Sequence, residues 1–352
     1  MWITSSLEAA KAPTNIALGN FDGVHLGHQQ VMAQILSGNA EIRNDQSLEA
    51  FHSGVLASGY SQLPVSAGEV SADLSASSLA IAPHLPPSGA YSTVVTFSPH
   101  PHEYFSGTAR PLLTPVAEKA WQLAQLGVHQ LVMLPFNKAL AELTPQEFVE
   151  RILLDGLNAQ RISVGSDFHF GKGRSGNAQK LMEIAAARGV AVVQVPLKHE
   201  EGDRISSSRI RAALQAGEPT VATQLLGRPY TLTGRVVQGK QLGRTIGFPT
   251  ANLQLPVKKF LPCTGVYSVR IYGALNAEAK PLKGVMNIGH RPTVNGQTLS
   301  IEVHILNWAG DLYGQMLTVS LERFVRPEQK FDSLDALKSQ IAKDRDVAAA
   351  TL

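Results

Sequence analysis

The hydrophobic pattern of this chain changes character once, near Gly227-Arg228-Pro229, and no single layered fold accommodates both halves. From Asn15 to about Leu225, short apolar runs alternate with helical patterns, the sequence sign of βαβ units and a parallel sheet. Strands are expected at Ile16–Gly19, Thr93–Phe97, Gln130–Leu134, Arg161–Val164 and Val190–Val195. Between them Thr144-Pro145-Gln146-Glu147 supplies an N-cap, a first-turn proline and a capping-box glutamate. Phe148, Ile152 and Leu153 then form a buried stripe, and Gly156 stops the helix. Beyond Pro229 the strands lose their intervening helices: Tyr230–Val237, Gly265–Ile271, Gly284–Ile288, Ser300–Ile305 and Gln315–Phe324 follow one another with glycines between several of them. That spacing predicts a closed antiparallel barrel. Leu334, Leu337 and Ile341 recur at helical spacing and predict a final amphipathic helix near Leu334–Ala342.

With 352 residues, the chain exceeds the size at which one core keeps growing, which agrees with two modules, 13–226 and 227–350. Residues Ser37 to Ala90 fit neither pattern. Rich in Ser, Ala, Gly and Pro and nearly free of Lys and Arg, they read as a mobile insertion in the first module.

Charge and cysteine content narrow the function. A net charge of +3 with 17% charged residues comes without the Lys/Arg blocks of a nucleic-acid surface, so a phosphorylated small molecule is the expected partner. One cysteine, Cys263, excludes a disulfide framework and a cysteine-rich zinc site. Met1 to Lys11 lacks a signal-peptide pattern, and no apolar run approaches the ~20 residues of a membrane span. A cytoplasmic protein without a membrane anchor is expected.

Three constellations carry chemistry. Gly19-Asn20-Phe21-Asp22-Gly23-Val24-His25-Leu26-Gly27-His28 follows the first strand and opens a helix, so backbone N–H groups and a helix N-terminus converge where a triphosphate could sit. His25 and His28 share a helical face and can stabilise charge building on an α-phosphate. Two histidines beside a glycine turn are often mere packing residues, but this placement after a strand argues otherwise. Ile205-Ser206-Ser207-Ser208-Arg209-Ile210-Arg211 starts a second helix, stopped by Gly217, with Arg211 on the face of Ser208. In the second half, Gly234 to Leu253 contains a glycine-rich turn followed by Phe248-Pro249-Thr250-Ala251-Asn252, whose Thr250 and Asn252 point the same way. Downstream, Ile301-Glu302-Val303-His304-Ile305 alternates like a strand and puts Glu302 and His304 on one face. A carboxylate projecting there into a closed site could take the proton of an alcohol attacking a γ-phosphate.

The first two motifs resemble the H-x-G-H and I-S-S-T-x-x-R signatures of adenylyltransferases. Together with Thr96-Phe97-Ser98-Pro99-His100-Pro101 and Val164-Gly165-Ser166-Asp167-Phe168-His169-Phe170-Gly171-Lys172-Gly173, they resemble the N-terminal module of bacterial bifunctional riboflavin kinase/FAD synthetases. Gly234 to Leu253 resembles the riboflavin kinase signature over its full span. The resemblance implies an α/β nucleotidyltransferase domain with a Rossmann-like parallel sheet, followed by a small six-stranded antiparallel β-barrel kinase domain with a C-terminal helix. It implies riboflavin, FMN and ATP as substrates and Mg2+ as cofactor.

By the same resemblance, His25, His28, Arg211 and Glu302 are catalytic. Gly19, Asn20, Phe21, Asp22, Gly27, Ser206, Ser207, Ser208, Gly239, Gly243 and Arg244 bind ATP. Phe97, Pro99, His100, Asp167 and Phe168 line the flavin pocket, and Thr250 and Asn252 face the metal. Gly289-His290-Arg291-Pro292-Thr293 and Asp311-Leu312-Tyr313-Gly314 match family loops. The chain departs from the family pattern at Ser98, where Glu is usual, at Ser208, where Thr is usual, at Asn307, where Asp is frequent, and over Ser37–Ala90. Two rivals stand beside this reading: an adenylyltransferase for a nicotinamide or pantetheine derivative, and a flavin-sensing regulator that has lost catalysis. The flavin-type segments and the attached kinase module weigh against the first, and the intact His25, His28, Arg211 and Glu302 against the second.

Overall fold

The structure is a computed structural model that describes residues 1–36, 89–239, 241, 243, 246–273, 281–293 and 296–352, with only the backbone described for 291–293 and 296–298. The expected insertion therefore lies, up to residue 88, outside the described residues. The rest divides into two compact units, one formed by residues 1–36 and 89–207 and the other by 208–352.

In the first unit β1 (Trp2–Thr4), β2 (Thr14–Leu18) and α1 (Leu26–Ala33) precede β3 (Tyr91–Ser98), α2 (Pro101–Ser106), α3 (Val116–Gln125) and β4 (Gln130–Pro135). Then come α4 (Pro145–Glu147, continued as Phe148–Gly156), β5 (Ala159–Gly165), α5 (Ala178–Ala186) and β6 (Ala191–Val195). The six strands form a sheet in the order β1-β4-β3-β2-β5-β6, every pairing parallel. Ile16, Leu18, Val95, Val132 and Ile162 pack with Phe148, Val149, Leu153 and Leu181 in one apolar cluster. Ala17, Val94 and Leu131 pack with Val31, Met32, Ala120 and Leu123 in another. A sheet buried on both faces explains why its strands read as continuous apolar runs rather than alternating ones.

The capping box forms as expected: Glu147 N–H meets the Thr144 hydroxyl at 3.2 Å, and Thr144 N–H meets the Glu147 carboxylate at 3.0 Å. The expected stripe is buried at Phe148 and Leu153, and Ile152 packs against the same cluster partly buried. Phe148–Gly156 is a π-helix, and its buried residues also include Val149 and Leu154. A wider turn carries the inward face to residues five apart, which a period of 3.6 does not supply. The edge strand β1 was not expected, because three residues are too few to show a period.

Helix α6 (Ser207–Gln215) starts on the last residue of the first unit and otherwise belongs to the second, which continues with α7 (Pro219–Leu226), β7 (Tyr230–Val237), β8 (Ala251–Gln254), β9 (Gly265–Tyr272), β10 (Leu282–Thr293), β11 (Gly296–Ile305), β12 (Met316–Arg326) and α8 (Leu334–Thr351). The strands close into a six-stranded antiparallel barrel, β7-β8-β11-β10-β9-β12. Leu232, Val236, Tyr267, Val269, Met286, Val303, Val319 and Leu321 are buried, in agreement with the period-2 pattern. Gly289 to Thr293 is not a loop but the end of β10, paired with β11. Helix α8 extends well past Ala342, held where Arg326 clamps the buried Asp344 carboxylate through Nε at 3.0 Å and Nη2 at 2.8 Å.

Candidate active sites

In the first unit, Leu18 delivers the chain to a tight loop in which the non-glycine residues Phe21 and Val24 adopt φ of 49° and 44° and Gly23 adopts 92°. Such backbone is strained and persists only where neighbours determine it. Here the Asn20 carbonyl accepts from Lys119 Nζ at 2.9 Å and from the Thr96 hydroxyl at 3.1 Å. Thr114 donates its N–H to Asp22 Oδ1 at 3.2 Å and accepts from Gly23 N–H at 2.9 Å. The Ser207 hydroxyl, on the last residue of the first unit, donates to the Asp22 carbonyl at 2.8 Å.

His25 is the N-cap of α1, its Nδ1 accepting the N–H of His28 at 3.2 Å. That bond requires an unprotonated Nδ1 and puts the proton of the neutral ring on Nε2, where it can be donated. The rings of His25 and His28 stack with centroids 3.5 Å apart and planes 16° apart, and the edge of Phe21 meets His28 at 5.3 Å. Gly27 leaves room for this stack: a Cβ there would lie 3.3 Å from the His25 ring.

Phe97 ends β3 half-buried, with Phe136 edge-on at 5.7 Å and Phe148 tilted at 6.4 Å. Phe168 stacks on Phe170 at 5.8 Å. His100 caps α2, its Nδ1 accepting from His102 N–H at 3.1 Å. Burial, and then the nearby Arg110, push its pKa down to about 4 against the opposing pull of Asp22. It is therefore neutral near pH 7, as its capping role requires. Pro99 is exposed beside it. Asp167 forms an ion pair with Arg204, and a short antiparallel ladder of His199–Glu200 with Asp203–Arg204 holds Arg204 in place.

In the barrel unit the register aligns Asn252, Glu302 and Asn287 across β8, β11 and β10, so the three share a face. The Thr250 hydroxyl donates to Glu302 Oε2 at 3.2 Å. Gly239 lies so close to Asn252 that a Cβ would overlap its amide, and one at Gly243 would overlap the Phe248 carbonyl. Because Ile301, Val303 and Ile305 fill the interior, Glu302 stands on the outer face of the barrel and not inside it. His304, on the same face, meets the Pro249 carbonyl through Nδ1 at 2.8 Å and Phe248 edge-on at 5.6 Å. Gln241 of the glycine turn donates to the Tyr313 hydroxyl at 3.3 Å.

The FAD synthetase family model matches residues 7–53 and 85–209, and the riboflavin kinase model matches 226–352. Bifunctional riboflavin kinase/FMN adenylyltransferases are similar along almost the whole length: 37% identity to that of Pseudomonas fluorescens over 95% of this chain and 90% of the relative. The enzyme of Escherichia coli K12 is 38% identical over 94% of this chain and 90% of the relative. That of Bacillus subtilis is 32% identical over 97% and 93%. The chain belongs to the bifunctional riboflavin kinase/FMN adenylyltransferase family.

A solved structure described as a macrolide-efflux protein from Streptococcus pneumoniae shares the fold, with a TM-score of 0.74 and 26% identity over 99% of this chain and 98% of that one. No described helix is long and apolar enough to cross a membrane. Residues 54–84 fall between the two matched segments of the FAD synthetase model, so the family pattern is interrupted within the stretch read as an insertion.

Of the family's expected site residues, the structure bonds Ser207 to Asp22 and stacks His25 on His28 around the loop that also carries Asn20, and it brings Gly239, Thr250, Asn252 and Glu302 together in the barrel unit. Arg244 lies outside the described residues. The guanidinium of Arg211 lies 5.5 Å over the Phe260 ring, and Ser208 is exposed. Sequence reasoning missed Lys119, Arg204 and Asn287. Lys119 hides in an ordinary amphipathic pattern, and Arg204 precedes the serine run without a spacing that marks it. Asn287 takes the outward place that alternation gives it between Met286 and Ile288, so only the register, which pairs it with Glu302, marks it out.

Proposed function

We propose that the N-terminal module, residues 13–226, transfers the adenylyl group of ATP to FMN through His25, His28, Ser207 and Arg211, and that the barrel phosphorylates riboflavin through Glu302. The chain makes FMN and FAD as its family does, with residues 13–226 responsible for the second step and 227–350 for the first. The observation that carries the residue assignment is the contact of the Thr250 hydroxyl with Glu302, beside Asn252 and under a glycine turn, on a different unit from the stacked histidine pair.

For adenylyl transfer, a phosphate oxygen of FMN attacks the α-phosphorus of ATP, the bond to the β-phosphate oxygen breaks, and pyrophosphate leaves. Nε2–H of His25 donates to the charge that builds on the α-phosphate, and the α1 N-terminus holds further phosphate oxygens; the resemblance to the family assigns Arg211 to the phosphates as well. Phe97 and Phe168 offer rings to the isoalloxazine, with Pro99 and the neutral His100 beside them. Asp167, oriented by Arg204, accepts a flavin N–H. Gly19, Asn20, Phe21, Asp22 and Gly27 shape the loop, and Ser206 and Ser208 flank Ser207.

For phosphorylation, the terminal ribityl oxygen attacks the γ-phosphorus, its proton passes to Glu302, and ADP leaves. Gly239, Gly243 and Arg244 carry the ATP phosphates. The families use ATP, typically with a divalent metal. The Thr250 hydroxyl and Asn252 amide oxygens are the hard, neutral donors that Mg2+ accepts beside phosphate oxygens, and they would hold that ion, which neutralises phosphate charge. The substrates are riboflavin, FMN and ATP, with no role for nucleic acid or membrane, and the single cysteine accords with work in the cytoplasm.

The test is incubation of the purified chain with riboflavin, ATP and magnesium, followed by chromatographic separation of the flavins. FMN followed by FAD is expected. Failure to form either product overturns the corresponding half of the reading.

A further inference from the structure

Lys119 is a buried lysine whose amine the reaction as described does not use. It lies on α3, whose inward face also carries the core residues Ala120 and Leu123, and it is 8% exposed. A lysine in such a place loses hydration that only good partners repay, so its presence calls for a use. Its Nζ is bonded to the Asn20 carbonyl at 2.9 Å, the same oxygen that takes the Thr96 hydroxyl at 3.1 Å. Burial lowers its pKa, and Asp22, itself 5% exposed and fixed by Thr114, counteracts that shift. The carbonyl that Lys119 holds, that of Asn20, belongs to the loop between β2 and α1, two residues before Asp22 and five before His25.

We propose that Lys119 is a positioning residue for adenylyl transfer, acting through the Asn20 carbonyl on the loop that presents His25 and His28. This rests on the reading of that loop as the ATP site. Two non-glycine residues of the loop, Phe21 and Val24, hold left-handed backbone, so the loop needs external bonds to keep its shape. The 2.9 Å bond from Lys119 supplies one, and the nearby Asp22 favours the ammonium form, which makes such a bond stronger. It also polarises the peptide unit joining Asn20 to Phe21, which strengthens that unit's N–H as a donor at the place where phosphate charge develops. Thr96 adds a second, uncharged bond to the same oxygen. Its loss removes less.

The experiment uses the full chain and three variants, Lys119→Met, Lys119→Arg and Thr96→Val. Turnover of FMN to FAD, KM for ATP, turnover of riboflavin to FMN, and Tm are measured on each preparation. Misplaced histidines weaken the transition state more than the bound substrate, so Lys119→Met lowers kcat for FAD formation at least ~10-fold. KM for ATP changes less than ~3-fold and riboflavin phosphorylation stays within ~2-fold of wild type. Arginine, which can still reach the carbonyl with a charged N–H, restores a large part of kcat, and Thr96→Val gives a smaller loss than Lys119→Met. If the Met variant does not fold, Lys119→Gln, neutral and polar, carries the same expectation.

The inference is overturned if Lys119→Met keeps kcat within ~2-fold of wild type, if both activities fall together with Tm, or if arginine is no better than methionine. A wild-type chain that forms FMN but no FAD refutes the site reading itself and so is told apart from a failure of the Lys119 assignment.

Discussion

Replacing Glu302 by glutamine separates the base from the structure around it. In the native site the Thr250 hydroxyl donates to Glu302 Oε2 at 3.2 Å, and Asn252 and Asn287 flank the carboxylate on β8 and β10. A glutamine has the same length and keeps an amide oxygen that accepts from Thr250, so the strand register and the hydrogen bond survive. Only the ability to take a proton is lost. General-base catalysis contributes on the order of 100- to 10,000-fold, or about 2.7–5.5 kcal/mol of barrier. Glu302→Gln therefore converts riboflavin to FMN at least ~100-fold more slowly while still binding ATP and flavin. FMN supplied directly still becomes FAD at the wild-type rate. The assay is the pair of rates on one preparation. Near-normal kinase turnover in the variant would refute the reasoning and reduce Glu302 to a polar strand residue.

His28→Ala removes the ring stacked on His25 and lowers FAD formation by roughly 100- to 1000-fold, the usual cost of one preorganised phosphate donor, with riboflavin phosphorylation unchanged; equal loss of both rates contradicts the separation of the sites. Gly239→Ala drives a methyl group into the Asn252 amide, so kinase turnover falls while FAD synthesis from FMN continues, and a fully active variant shows that this close approach is dispensable. The third expectation concerns pH. His100 has a folded pKa of about 4 against an ordinary 6.5, so between these values the unfolded chain binds more protons and stability falls as pH drops, being fully present above 6.5. In His100→Gln the urea midpoint between pH 7 and 4.5 declines less steeply than in wild type, and parallel curves refute the assignment.

Both folds were legible in the amino-acid sequence because their cores impose different periods. Tyr230–Val237 and the alternation through Glu302 were bounded closely because one face of each barrel strand is buried and the other is not. The continuous runs around Ile16, Val94 and Val132 marked a sheet covered on both faces. His25, His28, Thr250 and Asn252 were singled out because each sits in a local motif whose spacing carries its own geometry, and Glu302 because of the resemblance to riboflavin kinases. What the sequence could not contain was anything set by partners distant in the chain. The π-helix at Phe148–Gly156 adds Val149 and Leu154 to the expected stripe, and β1 exists only through its pairing with β4. Lys119 meets Asn20 across 99 positions, and Thr114 meets Asp22 across 92. Local propensity therefore determined the elements and the motifs, whereas tertiary structure decided which buried charges and hydroxyls hold the strained loop in place. That division has a physical cause: periodicity records which face of an element is dry, but a hydrogen bond between distant residues leaves no trace in the spacing of either.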